Sequence, residues 1–228
     1  MAQDIPVIVE QWLAKRGSGE LVGHYRVVRG YDQRRQLFTT NDSFNGPNFV
    51  IPYAQFDEWW RPFNRTYIVA YRPEQEALVK QVLGSDWELT QNWQEARIVA
   101  QAETESIADG YSYFNLGTSA TALADYDSAR QAYDNALTFS FPEHFLWYQF
   151  GPYEAYYRTE AYDKVLDMTQ DLIAKAGDTE EAHYYRGLVF EAQGKPEHAR
   201  TAFEQAISAN PRYAPAQAKL QDIKNAEN

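Results

Sequence analysis

Two residues, His24 and Asp42, have types and a spacing that could support catalysis. His24 lies in VGHYRVVRGYD, an alternating segment that is typical of a strand, and Asp42 closes the next such segment eighteen residues later. An imidazole that accepts a proton and a carboxylate that orients it serve nucleophilic catalysis. The chain has no cysteine and no G-x-S-x-G motif. The pair therefore has no evident nucleophile within these 228 residues.

Short β-rich segments must position this pair. They are separated by Gly, Asn, Asp and Pro, which predicts a small antiparallel sheet. The predicted strands cover residues 5–13, 24–32, 36–42 and 65–71. Between the last two, Phe56, Trp59 and Trp60 have helical spacing, and we expect Pro62 to end that helix.

The rest of the chain carries an internal repeat. The segments DYDSARQAYDNAL (125–137) and KPEHARTAFEQAI (195–207) align at an offset of 70 residues, and AYDKVLDMTQDLI (161–173) lies between them. Two periods of about 34 residues, with small and large residues at matching positions, are typical of tetratricopeptide helical hairpins. This region therefore resembles three such repeats, near 110–143, 146–179 and 180–213, followed by a capping helix at 213–225.

Stacked helical hairpins of this kind form a concave groove lined by the first helix of each repeat. An aromatic groove suits an extended or helical peptide, so the expected partner is a protein or peptide. An alternative is that several of these aromatic side chains pack between helices or against the sheet. In the register of the repeat family, the groove residues are Tyr111, Phe114, Trp147, Phe150, Tyr157, Arg158, Tyr184 and Glu191.

Charge and composition exclude several other functions. Residues 1–72 carry a net charge of +2 and residues 73–228 a net charge of −13, so we expect no nucleic-acid partner and a basic rather than acidic protein partner. No apolar run approaches the roughly 20 residues of a membrane span, so no membrane insertion is expected. The four histidines lack metal-ligand spacing, and neither a metal nor another cofactor is predicted.

The N-terminal segment resembles a known family through several of its motifs. The shared features are the P-V-I-V strand, the G-H-Y-x-V-V-x-G-Y-D strand, the N-D pair that ends at Asp42, and an I-P-Y-x-x-F segment. They are similar to the C-terminal half of papain-like cysteine peptidases, and especially to the bacterial peptidases that process bacteriocin leaders. The resemblance implies that His24 is the catalytic base and Asp42 its orienting acid. The cysteine and oxyanion-hole glutamine of that family have no counterpart here.

Three interpretations of the pair remain open. The chain is a piece of a longer peptidase-like protein, or a natural degenerate domain with a vestigial pair, or a sheet on which His24 and Asp42 are merely structural. Under each of them this chain alone is expected to be inactive as a peptidase.

The sequence thus predicts an α+β chain, in which a small antiparallel sheet (half papain-like, residues 1–72) precedes an all-α array of helical hairpins (residues 73–228). Its predicted function is protein or peptide binding by the repeats, joined to the His/Asp half of a cysteine-peptidase-like domain. The alternatives are one part of an active peptidase whose cysteine is supplied elsewhere, and a stand-alone scaffold. A bacterial origin fits the resemblance. The compartment, cytoplasmic or envelope-associated, and the oligomeric state are left open.

Overall fold

The structure is a computed structural model that describes residues 5–15 and 17–226. Residues 1–4, 16, 227 and 228, which the predicted segments include, lie outside the described part. The strands are β1 (Val7–Ala14), β2 (Leu21–Asp32), β3 (Leu37–Asp42), β4 (Gly46–Pro52) and β5 (Tyr67–Val69). The helices are α1 (Tyr53–Trp60), α2 (Glu76–Leu83), α3 (Leu89–Ser106), α4 (Gly110–Ala122), α5 (Tyr126–Ala136), α6 (Gly151–Arg158), α7 (Tyr162–Ala176), α8 (Glu180–Ala192), α9 (Pro196–Ala209) and α10 (Ala214–Ala226).

The strands form one antiparallel sheet in the order β4-β3-β2-β1-β5. Alternation along β1 and β2 places Val9 and Val28 on the face that α1 covers, where they pack with Ile51 and Phe56 in a buried cluster. The helix α1 is short because Arg61–Phe63, with Pro62 at its centre, continues it only as a single 3₁₀ turn. The sequence prediction of an α+β fold with an N-terminal antiparallel sheet is confirmed.

Helical hairpins follow the sheet, and small residues allow their helices to approach closely. A Cβ atom on Gly117 of α4 would meet the ring of Tyr133 on α5 at 2.7 Å. In the last hairpin, Gly187 of α8 faces the ring of Phe203 on α9 in the same way. The two aromatic rings fill the space that each glycine leaves, which is why the spacing of small and large residues repeats along the sequence.

The chain forms two compact units. The first comprises the described residues up to Leu123 together with Ala132–Phe145, and the second comprises Ala124–Gln131 and the described residues from Leu146 onward. The first unit therefore holds the sheet, α1–α4 and the end of α5. The predicted division into domains at residue 72 remains a proposal.

Polar contacts join the sheet segment to α3 and α4 within the first unit. Arg65 forms ion pairs with Asp57, at 2.6 Å, and with Glu103 of α3, at 2.7 Å. Arg61 pairs with Asp109, the residue that caps the N-terminus of α4, and the Asn115 amide donates to the Arg61 carbonyl at 2.7 Å. Residues on both sides of position 72 thus share one packed structure.

Candidate functional site

Neighbouring strands bring His24 and Asp42 together. Arg26 of β2 lies opposite Asp42 of β3, and His24 lies two residues before Arg26 on β2. Side chains two residues apart on a strand point to the same face. The imidazole of His24 therefore extends along the sheet face toward the Asp42 carboxylate.

The two side chains form a direct hydrogen bond. His24 Nε2 lies 3.0 Å from Asp42 Oδ1. The Asp42 side chain is fully buried, whereas 15 % of the His24 side chain is exposed. Because an ionised carboxylate can only accept hydrogen bonds, Nε2 must carry the proton. Neutral His24 then keeps a lone pair on Nδ1, the atom that is free to act as a base.

The Asp42 carboxylate accepts five hydrogen bonds. Besides His24, its donors are the backbone N–H groups of Phe44 (2.7 Å) and Asn45 (2.8 Å), the Asn45 amide (3.1 Å) and Arg26 Nε (2.6 Å). Burial by itself would raise the pKa of Asp42, but the hydrogen bonds from Asn45, Phe44 and His24 outweigh it and hold that pKa well below its usual value. The carboxylate therefore stays ionised through the neutral and mildly acidic range.

Arg26 is a member of this site that the sequence reasoning missed. Its side chain is 1 % exposed and its Nη1 donates to Gln11 Oε1 at 3.0 Å, while the Gln11 amide donates to the Phe56 carbonyl at 2.7 Å. The guanidinium also lies 5.2 Å from the ring centre of Trp59. The sequence did contain a signal for Arg26, because its i, i+2 spacing from His24 places both residues on the same face of the sheet.

The geometry of this pair matches that of a base and a carboxylate that orients it. Proton abstraction from a nucleophile is the chemistry that such a pair supports. The chain has no cysteine, and among the described residues the His24 imidazole has no hydrogen-bond partner other than Asp42. Within the same residues, no group of three or more His, Asp or Glu side chains is arranged to hold a metal ion.

The eight predicted groove residues divide between the two compact units. Tyr111 and Phe114 lie in the first unit, and the other six lie in the second. Phe114 is only 2 % exposed and makes edge-to-face contacts with Tyr133, Phe141 and Phe145. Its expected place in an open groove is corrected: the residues that follow α5 cover the ring, so it belongs to the core.

Tyr111 is half-buried, and its ring also has aromatic neighbours within the first unit. It packs against Trp12 of β1, at 6.4 Å between ring centres, and against Phe145, at 5.4 Å. The Arg61 guanidinium lies 5.9 Å from its ring centre. These contacts match the alternative expectation that some of the groove aromatics pack against the sheet.

Four of the remaining residues come together in the second unit. Tyr157 and Arg158 end α6, whereas Tyr184 and Glu191 lie on α8. Burial raises the pKa of Tyr184, whose hydroxyl also lies in the field of Lys219, Glu154, Glu191 and Arg158. Trp147 and Phe150 precede α6 and are half-buried, and the Phe150 ring packs against Tyr153 at 5.9 Å.

Two ion pairs complete this face, and the sequence reasoning found only one member of each. Arg158 Nε bonds Glu154 Oε1 at 2.8 Å, and Lys219 of α10 bonds Glu191 at 2.6 Å. The Tyr185 hydroxyl donates to the other Glu154 oxygen at 3.3 Å. We call Glu154, Tyr157, Arg158, Tyr184, Glu191 and Lys219 the tyrosine groove.

Family comparisons agree with both halves of this description. Residues 1–68 match the Peptidase_C39 like family, and residues 110–141 and 180–213 match tetratricopeptide repeat families. The chain therefore joins a Peptidase_C39-like segment to tetratricopeptide repeats, which form a class of protein-binding module. A comparison with curated proteins found no match.

Several solved structures share the repeat fold. MamA is 16 % identical over 69 % of this chain and 86 % of its own, with a TM-score of 0.52. MamA (41-end) from Desulfovibrio magneticus RS-1 is 18 % identical over 69 % of this chain and 88 % of its own, with a TM-score of 0.52. YrrB, a tetratricopeptide protein with an unusual peptide-binding site, is 15 % identical over 65 % and 76 %, with a TM-score of 0.53.

No helix among the described residues has both the length and the apolar character that crossing a bilayer requires.

Proposed function

We propose that this protein binds a peptide segment of a partner protein in the tyrosine groove. One observation supports this proposal most directly. Tyr157 and Tyr184 are both partly exposed and lie among four charged side chains. These side chains belong to the first helices of successive repeats, α6 and α8, and to α10. Partly exposed tyrosines offer an apolar ring and a polar hydroxyl with only two side-chain torsions to order. Such residues are enriched where proteins bind peptides.

The charges of the groove support a polar rather than purely apolar ligand. Each acidic residue is already paired with a basic one, Glu154 with Arg158 and Glu191 with Lys219. An incoming peptide can therefore exchange these exposed pairs for its own charged groups at little cost, because exposed ion pairs contribute little stability. The peptide-binding site of YrrB, a protein of the same fold, is consistent with this use of the repeats.

Alanine substitution tests the groove. A peptide selected from a displayed library against the purified chain is expected to bind Tyr184→Ala and Tyr157→Ala about tenfold more weakly, the usual effect of truncating an interface tyrosine. Glu204→Ala, at an exposed position on α9, is the matched control and should bind as the wild type does. Unchanged affinity in both tyrosine variants, with the fold intact by circular dichroism, would exclude the groove.

A second candidate function follows from the His24–Asp42 hydrogen bond. The Peptidase_C39-like segment would supply the base and orienting acid of a cysteine-peptidase site whose thiol comes from outside these 228 residues. The 3.0 Å bond and the proton on Nε2 favour this role, since they leave Nδ1 as the acceptor. The chain by itself would then bind peptides without hydrolysing them.

Two measurements test the second candidate. Two-bond ¹H–¹⁵N spectra at pH 8 should show His24 protonated on Nε2 and unprotonated on Nδ1. In the native source, hydrolysis of a fluorogenic double-glycine peptide should be blocked by iodoacetamide and lost when His24→Gln replaces the chromosomal copy. Thiol-dependent hydrolysis that persists in the His24→Gln strain at the wild-type rate would refute the candidate without affecting the groove proposal.

A further inference from the structure

A cleft in the first compact unit shares no lining residue with either candidate site. It is bounded by β5, by the 3₁₀ turn Gly84–Trp87 and by the start of α3, and its volume is about 500 Å³. Ligand sites in proteins commonly have volumes of this order. Its walls include the aromatic residues Tyr67, Trp87 and Trp93. All three are partly exposed, so their rings can still contact a ligand.

Asp86 places a negative charge in this aromatic setting. The Tyr67 hydroxyl donates to Asp86 Oδ2 at 3.3 Å, and the carboxylate forms no ion pair with any lysine, arginine or histidine of residues 5–15 and 17–226. Arg65, the basic residue that lines the cleft, is committed to Asp57 and Glu103. The charge that is left without a counter-ion at the cleft is therefore negative.

Aromatic rings and a carboxylate together select cations. A Lys or Arg side chain near the face of Trp or Tyr is attracted by the ring quadrupole, and the attraction grows as the site is desolvated. Trp87 already shows this property, because Lys80 Nζ lies 4.7 Å from its ring centre while that ammonium is paired with Glu76. The surrounding segment strengthens the attraction for a cation, since residues 73–106 contain seven Asp or Glu and only two Lys or Arg.

We propose that the cleft of Tyr67, Asp86, Trp87 and Trp93 binds a basic side chain of a partner protein, with the cation between the aromatic walls and the Asp86 carboxylate. The net negative charge of the surrounding segment attracts such a partner and accelerates its association. The cleft and the tyrosine groove share no residue. One segment of a partner can therefore occupy the groove while a basic side chain from another segment binds in the cleft.

The test uses the full chain and acetyl-trilysine amide as the probe. Binding is followed by indole N–H chemical shifts, and the signals of Trp87 and Trp93 should move while that of Trp147 does not. Asp86→Asn keeps an acceptor for the Tyr67 hydroxyl and removes the charge, and it should weaken binding about five- to thirtyfold. Glu88→Gln, the exposed neighbour, is the matched control and should weaken binding less than about twofold, the effect of an exposed charge.

Two results would overturn the proposal. Equal weakening by Asp86→Asn and Glu88→Gln would mean that the peptide responds only to net charge. Shifts with tetramethylammonium as large as those with the peptide would assign the cleft to small ammonium compounds instead. If Asp86→Asn does not fold, the proposal is tested by the indole N–H shifts of the wild-type chain alone. The absence of such shifts for Trp87 and Trp93 would reject the site. Tyr184→Ala should leave this binding unchanged, which separates failure here from failure of the groove.

Discussion

Arg26 Nε lies 2.6 Å from Asp42 Oδ2, and neither side chain is more than 1 % exposed. Taking two charges out of water is costly unless they are paired and hydrogen-bonded, and both conditions hold here. The buried carboxylate thus has a permanent counter-ion even when His24 is neutral. Because Arg26 balances the charge, the proposed role of His24 reduces to presenting Nδ1 as the base.

Arg26→Met should destabilise the chain by about 3 kcal/mol or more, because Asp42 would remain buried without its counter-ion. The measurement is the free energy of unfolding in urea at pH 7. The matched control is Arg29→Met on the same strand, where the guanidinium is exposed and donates to Asn48 Oδ1. Its effect should be too small to resolve. Equal stability of Arg26→Met and wild type would show that the pair is energetically neutral.

Acid should destabilise the first compact unit in a defined pH window. Hydrogen bonds from Arg61 and Ser112 outweigh the effect of burial and lower the pKa of Asp109 to about 2. A carboxyl group whose pKa is lower in the folded state stabilises the protein above its unfolded pKa, and this contribution is lost as the pH falls. The stabilisation by Asp109 should therefore decline from about pH 4 toward pH 2.

Asp109→Asn isolates this contribution, because asparagine can still cap α4 by accepting from the Ser112 N–H. Urea unfolding at pH 5, 4, 3 and 2.5 should show a shallower decline of stability for the variant than for the wild type. Parallel curves would mean that Asp109 is not a source of the acid sensitivity. Asp42, whose pKa is also lowered, should account for part of the decline that remains.

Arg65→Met should cost about 2 kcal/mol of unfolding free energy, because it leaves the buried carboxylate of Glu103 without its short ion pair. The control Arg72→Met removes an ion pair with Glu74 in which both side chains are more than half exposed, and it should have no measurable effect. Denaturant unfolding of both variants checks this. Equal effects would show that the contact between the sheet segment and α3 adds no stability.

Gly117→Ala should destabilise the first hairpin by about 1–3 kcal/mol, since the added methyl group would collide with the Tyr133 ring in a filled core. In an exposed helix the same change would be stabilising. Gly30→Ala is the control, because a Cβ atom there has no neighbour within 4 Å. Thermal unfolding should separate the two variants. A Gly117→Ala protein as stable as wild type would contradict the close approach of the helices.

The sequence predicted most of the sheet, and its omissions have physical causes. The strand β4 was missed because Gly46, Pro47 and Asn48 are unfavourable in strand interiors. As an edge strand, β4 tolerates a residue without a backbone N–H. The helix α2 falls in the segment that was predicted to be all-α (73–228), but its bounds were not predicted separately, since eight residues make only about two helical turns.

The two sites were predicted from the sequence with different success, and the difference has a physical cause. His24 and Asp42 are fixed by strand alternation and by a family motif, so their proximity could be anticipated, although their role stays a proposal. Phe114 occupies a groove position in the repeat register, but Phe141 and Phe145 beyond α5 cover it. Long-range packing of this kind leaves no periodic signal in the sequence. Lys219 was missed because it lies on the capping helix, outside the repeated pattern.

The buried chain of Gln11, Arg26 and Asp42 also acts on strand pairing itself. Gln11 of β1 is opposite His24 of β2, and Arg26 is opposite Asp42 of β3. A slip of one residue in either pairing would turn one partner to the opposite face of the sheet and leave the other buried with an unmet charge or amide. The polar network therefore penalises misregistered sheets during folding. A sheet that reaches its native alignment has, by the same contacts, already assembled the His24–Asp42 pair.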